Sequence, residues 1–291
     1  MVGLLLLSAC GIGSSGAGVS NRSSLDHQLL GVPVSVDFRP EVHGFSFPNF
    51  DSRAYPQRFD AHSLVAVLGT GPRICIEGTV GEPVGDGWLM EGSDQPCEVT
   101  AEAAEIIAKV ESARAAGHCE GLVVLAALRY TWGLDPVTAE LVPDERIINA
   151  IIRAFATIFL PEVQAEARSW ISTSLADTVE VLATALSQGS LDYGMGLYTP
   201  EGGHEVLPYA ITYPRENLAR IAVYDSNWPG VERFVELDLR ADTWRFSFGG
   251  EDPETDAFAW EGTHADLDLN SVQLRIDALE ARGARVEPPT N

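Results

Sequence analysis

Apolar and polar positions change period along the chain, and those changes mark its elements. From Val32 to Leu68, short apolar runs separated by turn residues read as strands over Val32–Phe38, Gly44–Phe50 and Ser63–Leu68. Phe59, Leu64, Val65 and Leu68 fit a short helix over Arg58–Leu68 equally well. Thr100, followed by Glu102 and Glu105, is an N-cap with an acidic first turn, and Ala103, Ile106, Ile107 and Val110 share one face, so a helix is predicted to about Ala115. Gly117 breaks it. From Cys119 to Tyr130 the chain is apolar nearly all round, the pattern of a buried helix. Asp144 caps a third helix in which Ile147–Leu160 carries a single charge, Arg153; fourteen residues are too few to cross a bilayer, so this helix too is predicted to be buried. A further helix runs from Pro161 toward Gln188, interrupted near Ser172–Ser174 and stopped by Gly189.

The period then falls to two. Tyr193–Tyr198, Gly202–Tyr213 and Ala219–Asp225 read as strands, and Arg233–Arg240 with Thr243–Phe248 as a hairpin turning at Ala241-Asp242. Helices first and antiparallel strands later indicate an α+β fold. Phe45, Phe47 and Phe50 are either core contacts or the wall of a groove. The acidic stretch Glu251–Asp256 reads as a solvated turn without EF-hand spacing, and the residues after Arg282 as a polar tail, with 286–291 outside the domain.

Composition narrows the class. The chain has 291 residues, 45% hydrophobic, enough to bury a full core. Its formal net charge is −23, and Lys109 is the single lysine among 19 basic residues, so no cationic surface exists for the phosphate contacts that dominate nucleic-acid binding. Nucleic acid is excluded as an expected partner. Residues 11–30 begin Gly/Ser-rich and read as a tether; the GxGxxG formed by Gly11, Gly13 and Gly16 lacks the preceding strand and following helix of a dinucleotide loop. His27, His43, His62 and His264 lack partners at metal-ligand spacing, and no P-loop or GxSxG elbow is present. No cofactor or metal is expected.

Leu7-Ser8-Ala9-Cys10 closes an apolar run and resembles a bacterial lipobox. The resemblance implies a signal segment over 1–10, lipid on Cys10, a membrane anchor and an extracytoplasmic location; two acyl chains at ~0.8 kcal/mol per buried methylene anchor stably. A cytoplasmic protein with an apolar start is the other reading. With Cys10 lipidated and Cys119 free, Cys75 and Cys97 remain, either as a disulfide stabilising by roughly 3 kcal/mol or as two separate buried thiols.

The chemistry centres on three strings. In Gly117-His118-Cys119-Glu120-Gly121 a cysteine opens a helix, where unpaired N–H groups and the dipole favour a thiolate. Gly202-Gly203-His204-Glu205 puts an imidazole at a strand start, and Val223-Tyr224-Asp225-Ser226-Asn227-Trp228 ends the next strand in Asp and Asn. Cys119 as nucleophile, His204 as base, and Asp225 or Asn227 as orienting group would suit acyl transfer. Asp225 directly ends its strand, whereas Asn227 precedes a Trp; His118 reads as structural. Each residue taken alone has an ordinary reading, as a small apolar filler, a turn histidine or a turn carboxylate.

The order and context of these strings resemble papain-like cysteine peptidases, over roughly residues 115–230. More narrowly, they resemble a group of bacterial secreted papain-fold proteins. The resemblance implies a single papain-like α+β domain over 31–285, with an N-terminal part at 31–115 and a catalytic-like part at 116–285, its nucleophile opening a buried helix packed on an antiparallel sheet. It also implies a hydrolase or transferase acting on peptide or amide substrates. The family's oxyanion-hole glutamine has no counterpart between Val110 and His118, the nearest upstream being Gln95, so a non-catalytic binding or cell-surface module on the same fold is the alternative. A purely structural surface lipoprotein would require Cys119 to be buried and inert.

Overall fold

A computed structural model describes residues 27–82, 97–250, 252–284 and 286 of the chain. Cys10, the lipobox and most of the expected tether lie outside the described residues.

In chain order the elements are β1 (Val34–Ser35), α1 (Pro40–His43), α2 (Ala61–Leu68), α3 (Ala101–Ala113), α4 (Cys119–Trp132), α5 (Glu145–Ala156), α6 (Pro161–Trp170) and α7 (Leu175–Ser187). There follow β2 (Tyr193–Thr199), β3 (Gly202–Arg215), β4 (Leu218–Tyr224), β5 (Arg233–Asp238), β6 (Thr243–Phe246), β7 (Trp260–Thr263), β8 (Leu267–Ser271) and α8 (Val272–Glu280). Local chemistry starts most of the helices. Asp60, Thr100, Asp144, Ser174 and Ser271 each accept a backbone N–H in the first turn of α2, α3, α5, α7 and α8.

One antiparallel sheet runs β7-β6-β5-β4-β3-β2-β8. The 14-residue β3 is long enough to pair with β2 near its start and with β1 near its end along the same edge. The sheet curls into a half-barrel. This corrects the papain-like fold expected from the sequence: helices and antiparallel strands are both present, but the sheet is a curled half-barrel and no papain-specific feature is shown. The resemblance rested on short strings at element ends, and strings of that kind do not determine how strands wrap.

A single apolar core joins residues from Phe38 to Val286. At its centre α4 is buried over Glu120–Arg129. It crosses α5 closely because of Gly121: a Cβ there would lie 2.3 Å from the Ile151 carbonyl oxygen and 3.0 Å from the Phe155 nitrogen.

Several expectations change in detail. Residues 61–68 are helical, resolving that ambiguity; residues 44–50 form bends and coil instead of a strand, and Val32–Phe38 contributes only the two residues of β1. His27, Gln28 and Leu29, expected in the tether, dock on α7 through Asp177 and Glu180. Val286 is buried in the core, so the chain is not frayed at that point. Phe45 and Phe50 are buried core residues and Phe47 packs against them. β7, β8 and α8 were not expected from the sequence. Cys75 and Cys97 form a disulfide, which also brings Val99 onto Cys75 as an isolated bridge.

Candidate active site

Cys119 is the first residue of α4, and it stands where the helix start is left open. The N-cap position is His118, whose side chain makes no capping bond, so the first-turn N–H groups that lack intrahelical partners stay available near the sulfur. His118 is turned away and held. Its Nε2 accepts from Arg114 Nε at 2.9 Å while Nδ1 lies 2.7 Å from the Phe50 carbonyl oxygen. A ring that accepts at Nε2 and donates at Nδ1 is neutral, and burial together with the Arg114 charge pulls it down to about 4, although the Phe50 carbonyl acts the other way.

The imidazole arrives from β3. β3 packs against α4, and the Cys119 side chain lies close enough to His204 to act on its imidazole. His204 Nε2 is 2.8 Å from Asp225 Oδ1, so Nδ1 is the ring nitrogen that the carboxylate does not take. Both His204 and Asp225 are buried, and Cys119 is part-exposed and free of any disulfide. Burial works against the charged ring, but the hydrogen bonds and charges of Asp225 and Cys119 outweigh it, and His204 is pushed up to about 10. It is therefore an imidazolium at neutral pH.

Of the two candidates for the third position, Asp225 makes the bond. Its Oδ1 also accepts the Asn227 backbone N–H at 2.8 Å, which fixes the turn. Asn227 is close by, with Nδ2 3.5 Å from His204 Nε2, but that nitrogen already gives its proton to Asp225. The Asn227 carbonyl oxygen instead takes Nδ2 of Asn49 at 3.1 Å.

Asn49 is the residue that sequence reasoning missed. Its Oδ1 accepts from the backbone N–H groups of His118 (2.8 Å) and Phe50 (2.9 Å), its Nδ2 reaches Asn227, and its own N–H reaches the Ser226 carbonyl at 2.8 Å. One amide thus joins the turn before Cys119 to the turn carrying Asp225. Gly117 is required beside it: the residue sits at φ 129°, and a Cβ would fall 2.9 Å from Asn49 Nδ2. The only available signal was Asn49 itself in a Phe-rich coil, 69 residues from His118.

Behind the site lies a second buried polar group. Glu205, Gly196 and Asp268 stand in one row across β3, β2 and β8. Asp268 accepts from Tyr198 and Asn270, and Glu120, the neighbour of Cys119, pairs with Arg275 of α8. Burial raises all three carboxyls: Asp268 to about 7, Glu205 well above its ordinary range, and Glu120 upward despite Arg275. Among the described residues no group of three or more His, Cys, Asp or Glu is arranged to hold a metal ion.

No protein-family profile, curated protein or solved structure matches the chain. The functional reading therefore stands on the geometry of the site.

Proposed function

We propose that the protein is a cysteine-dependent hydrolase or acyl transferase acting on amide or peptide bonds. The observation that carries this reading is a buried imidazole placed between a helix-opening cysteine and a buried carboxylate. In the proposed reaction the Cys119 sulfur attacks the carbonyl carbon, and the resulting oxyanion accepts from the backbone N–H at the start of α4. His204 gives its proton to the departing nitrogen, the C–N bond breaks, and a thioester remains on Cys119. Water, or an acceptor amine in a transferase, then attacks the thioester; His204 takes the proton of that nucleophile and the sulfur leaves.

The Cys75–Cys97 disulfide supports an oxidising compartment. This agrees with the expected lipid on Cys10 and an extracytoplasmic, membrane-anchored location. Replacing Cys10 by Ala removes incorporation of labelled fatty acid if that part is right.

The test of the site is the rate at which iodoacetamide alkylates Cys119 between pH 5 and 9. Alkylation at pH 6 faster than a free-cysteine peptide, with the advantage lost in His204→Ala, supports the reading. Equal rates for the peptide, the protein and the variant overturn it. A second reading, a non-catalytic binding module, is favoured by one observation: no Gln or Asn lies between Val110 and His118 to offer a side-chain donor to an oxyanion.

A further inference from the structure

Phe248 closes the His204 side of the site. Its ring meets the imidazole edge-on at 5.4 Å and lies flat on Trp260, with centroids 4.6 Å and planes 10° apart. Three contacts hold the stack in place. Trp260 pairs with Phe246 in the β6–β7 ladder, two residues before Phe248. The Trp228 indole N–H donates to the Phe248 carbonyl at 3.2 Å, tying it to the Asp225 turn. Ser247, between them, donates to Asp256 at 2.5 Å. Phe248 nonetheless stays 37% exposed, and Phe258, two residues before Trp260, is 89% exposed. A held, flat, apolar surface open to solvent thus adjoins the buried base.

Its position decides what it would touch. This inference rests on the proposed acyl transfer, in which His204 protonates the departing nitrogen; whatever that nitrogen carries must lie on the His204 side. A planar aromatic surface there matches a planar ring. The rim carries charge of both signs: Asp256 accepts from Ser247, and the Arg233 guanidinium lies over the Trp228 and Phe246 rings and donates to the Ser247 carbonyl, so the flat apolar face is what selects. We infer that the Phe248–Trp260 stack is the leaving-group subsite and that it takes an aromatic ring borne on the departing amine.

Two neutral amides differing only on the nitrogen side serve as probes, N-benzylacetamide and N-butylacetamide. Each is titrated into the full chain while iodoacetamide alkylation of Cys119 is followed. The benzyl amide is expected to half-protect Cys119 at a concentration roughly 2- to 12-fold lower than the butyl amide, the range that aromatic pairing supplies. That preference is expected to vanish in Trp260→Leu and in Phe248→Leu, whose folding is checked by thermal melts. Equal protection by the two amides in the unaltered protein, or a benzyl preference that survives in both folded variants, overturns the inference. Failure of the acyl-transfer reading is seen separately, in alkylation without any amide that does not respond to His204→Ala.

Discussion

Replacing Asp268 by Asn tests the buried acid row directly. Asp268 is 7% exposed and is surrounded by Glu205 and Tyr198, by Glu120 and by one cation, Arg275, already paired with Glu120. Burial pushes its carboxyl from the ordinary 3.8 to about 7, so in the folded protein it keeps its proton where the unfolded chain has released it. A raised carboxyl contributes stability that is complete below about pH 4 and is lost as pH rises through about 7. A difference of about three units corresponds to ~4 kcal/mol over that window. Asparagine keeps the shape and the acceptor for Asn270 Nδ2 but does not ionise, so its stability is independent of this titration. Urea unfolding at intervals from pH 4.5 to 8.5, with the disulfide intact, should show the unaltered protein losing a few kcal/mol relative to the variant as pH rises. Parallel curves, separated by less than about 1 kcal/mol at every pH, would show that the row does not hold a proton and that the burial argument is wrong. Glu205→Gln should behave alike, because Glu205 Oε1 has no hydrogen-bond partner among the described residues and burial raises its carboxyl well above the ordinary range.

Three more outcomes are expected. Asp225→Asn removes the charge that offsets burial, so the His204 imidazolium, which otherwise persists up to about 10, should titrate lower by more than one unit when its ring protons are followed by NMR; an unchanged titration would mean that Asp225 does not hold the imidazole. Gly121→Ala gains about 1 kcal/mol of helix propensity but drives a methyl into the α5 backbone at 2.3 Å, so a net loss of roughly 1–3 kcal/mol is expected in denaturant unfolding, and a stabilised variant would contradict the crossing. Asn49→Asp keeps the acceptor for the His118 and Phe50 N–H groups but removes the donor to Asn227, so Cys119 alkylation should slow while the melting temperature stays within a few degrees. If Asn49→Asp melts far lower, or its alkylation profile matches that of the unaltered protein, Asn49 acts on the fold and not on the site.

What could be read from the sequence was local. Thr100, Asp144 and the Ser174 region announced their helices because a cap satisfies N–H groups two or three residues away. Cys119, His204 and Asp225 stood out because each lies at the end of an element, where side chains can converge. β8 escaped because its polar alternates look like a solvent face: Asp268 and Asn270 are buried, facing the carboxylate row, with small Gly194 and Gly196 leaving room for it. Without β8 and α8, neither Asp268 nor Arg275 could be connected to Glu120, 155 residues from Arg275.

The sequence by itself determined the helix starts, the opening of α4 on a cysteine, and the order of Cys119, His204 and Asp225 at element ends. Only the tertiary structure decided that the sheet curls into a half-barrel, that Asp225 rather than Asn227 bonds the imidazole, that Asn49 ties the two turns together, and that three acids share one arginine. The reason is range: caps and periodicity act over a turn or two of chain, whereas strand wrapping and buried hydrogen bonds depend on which distant segments share one core.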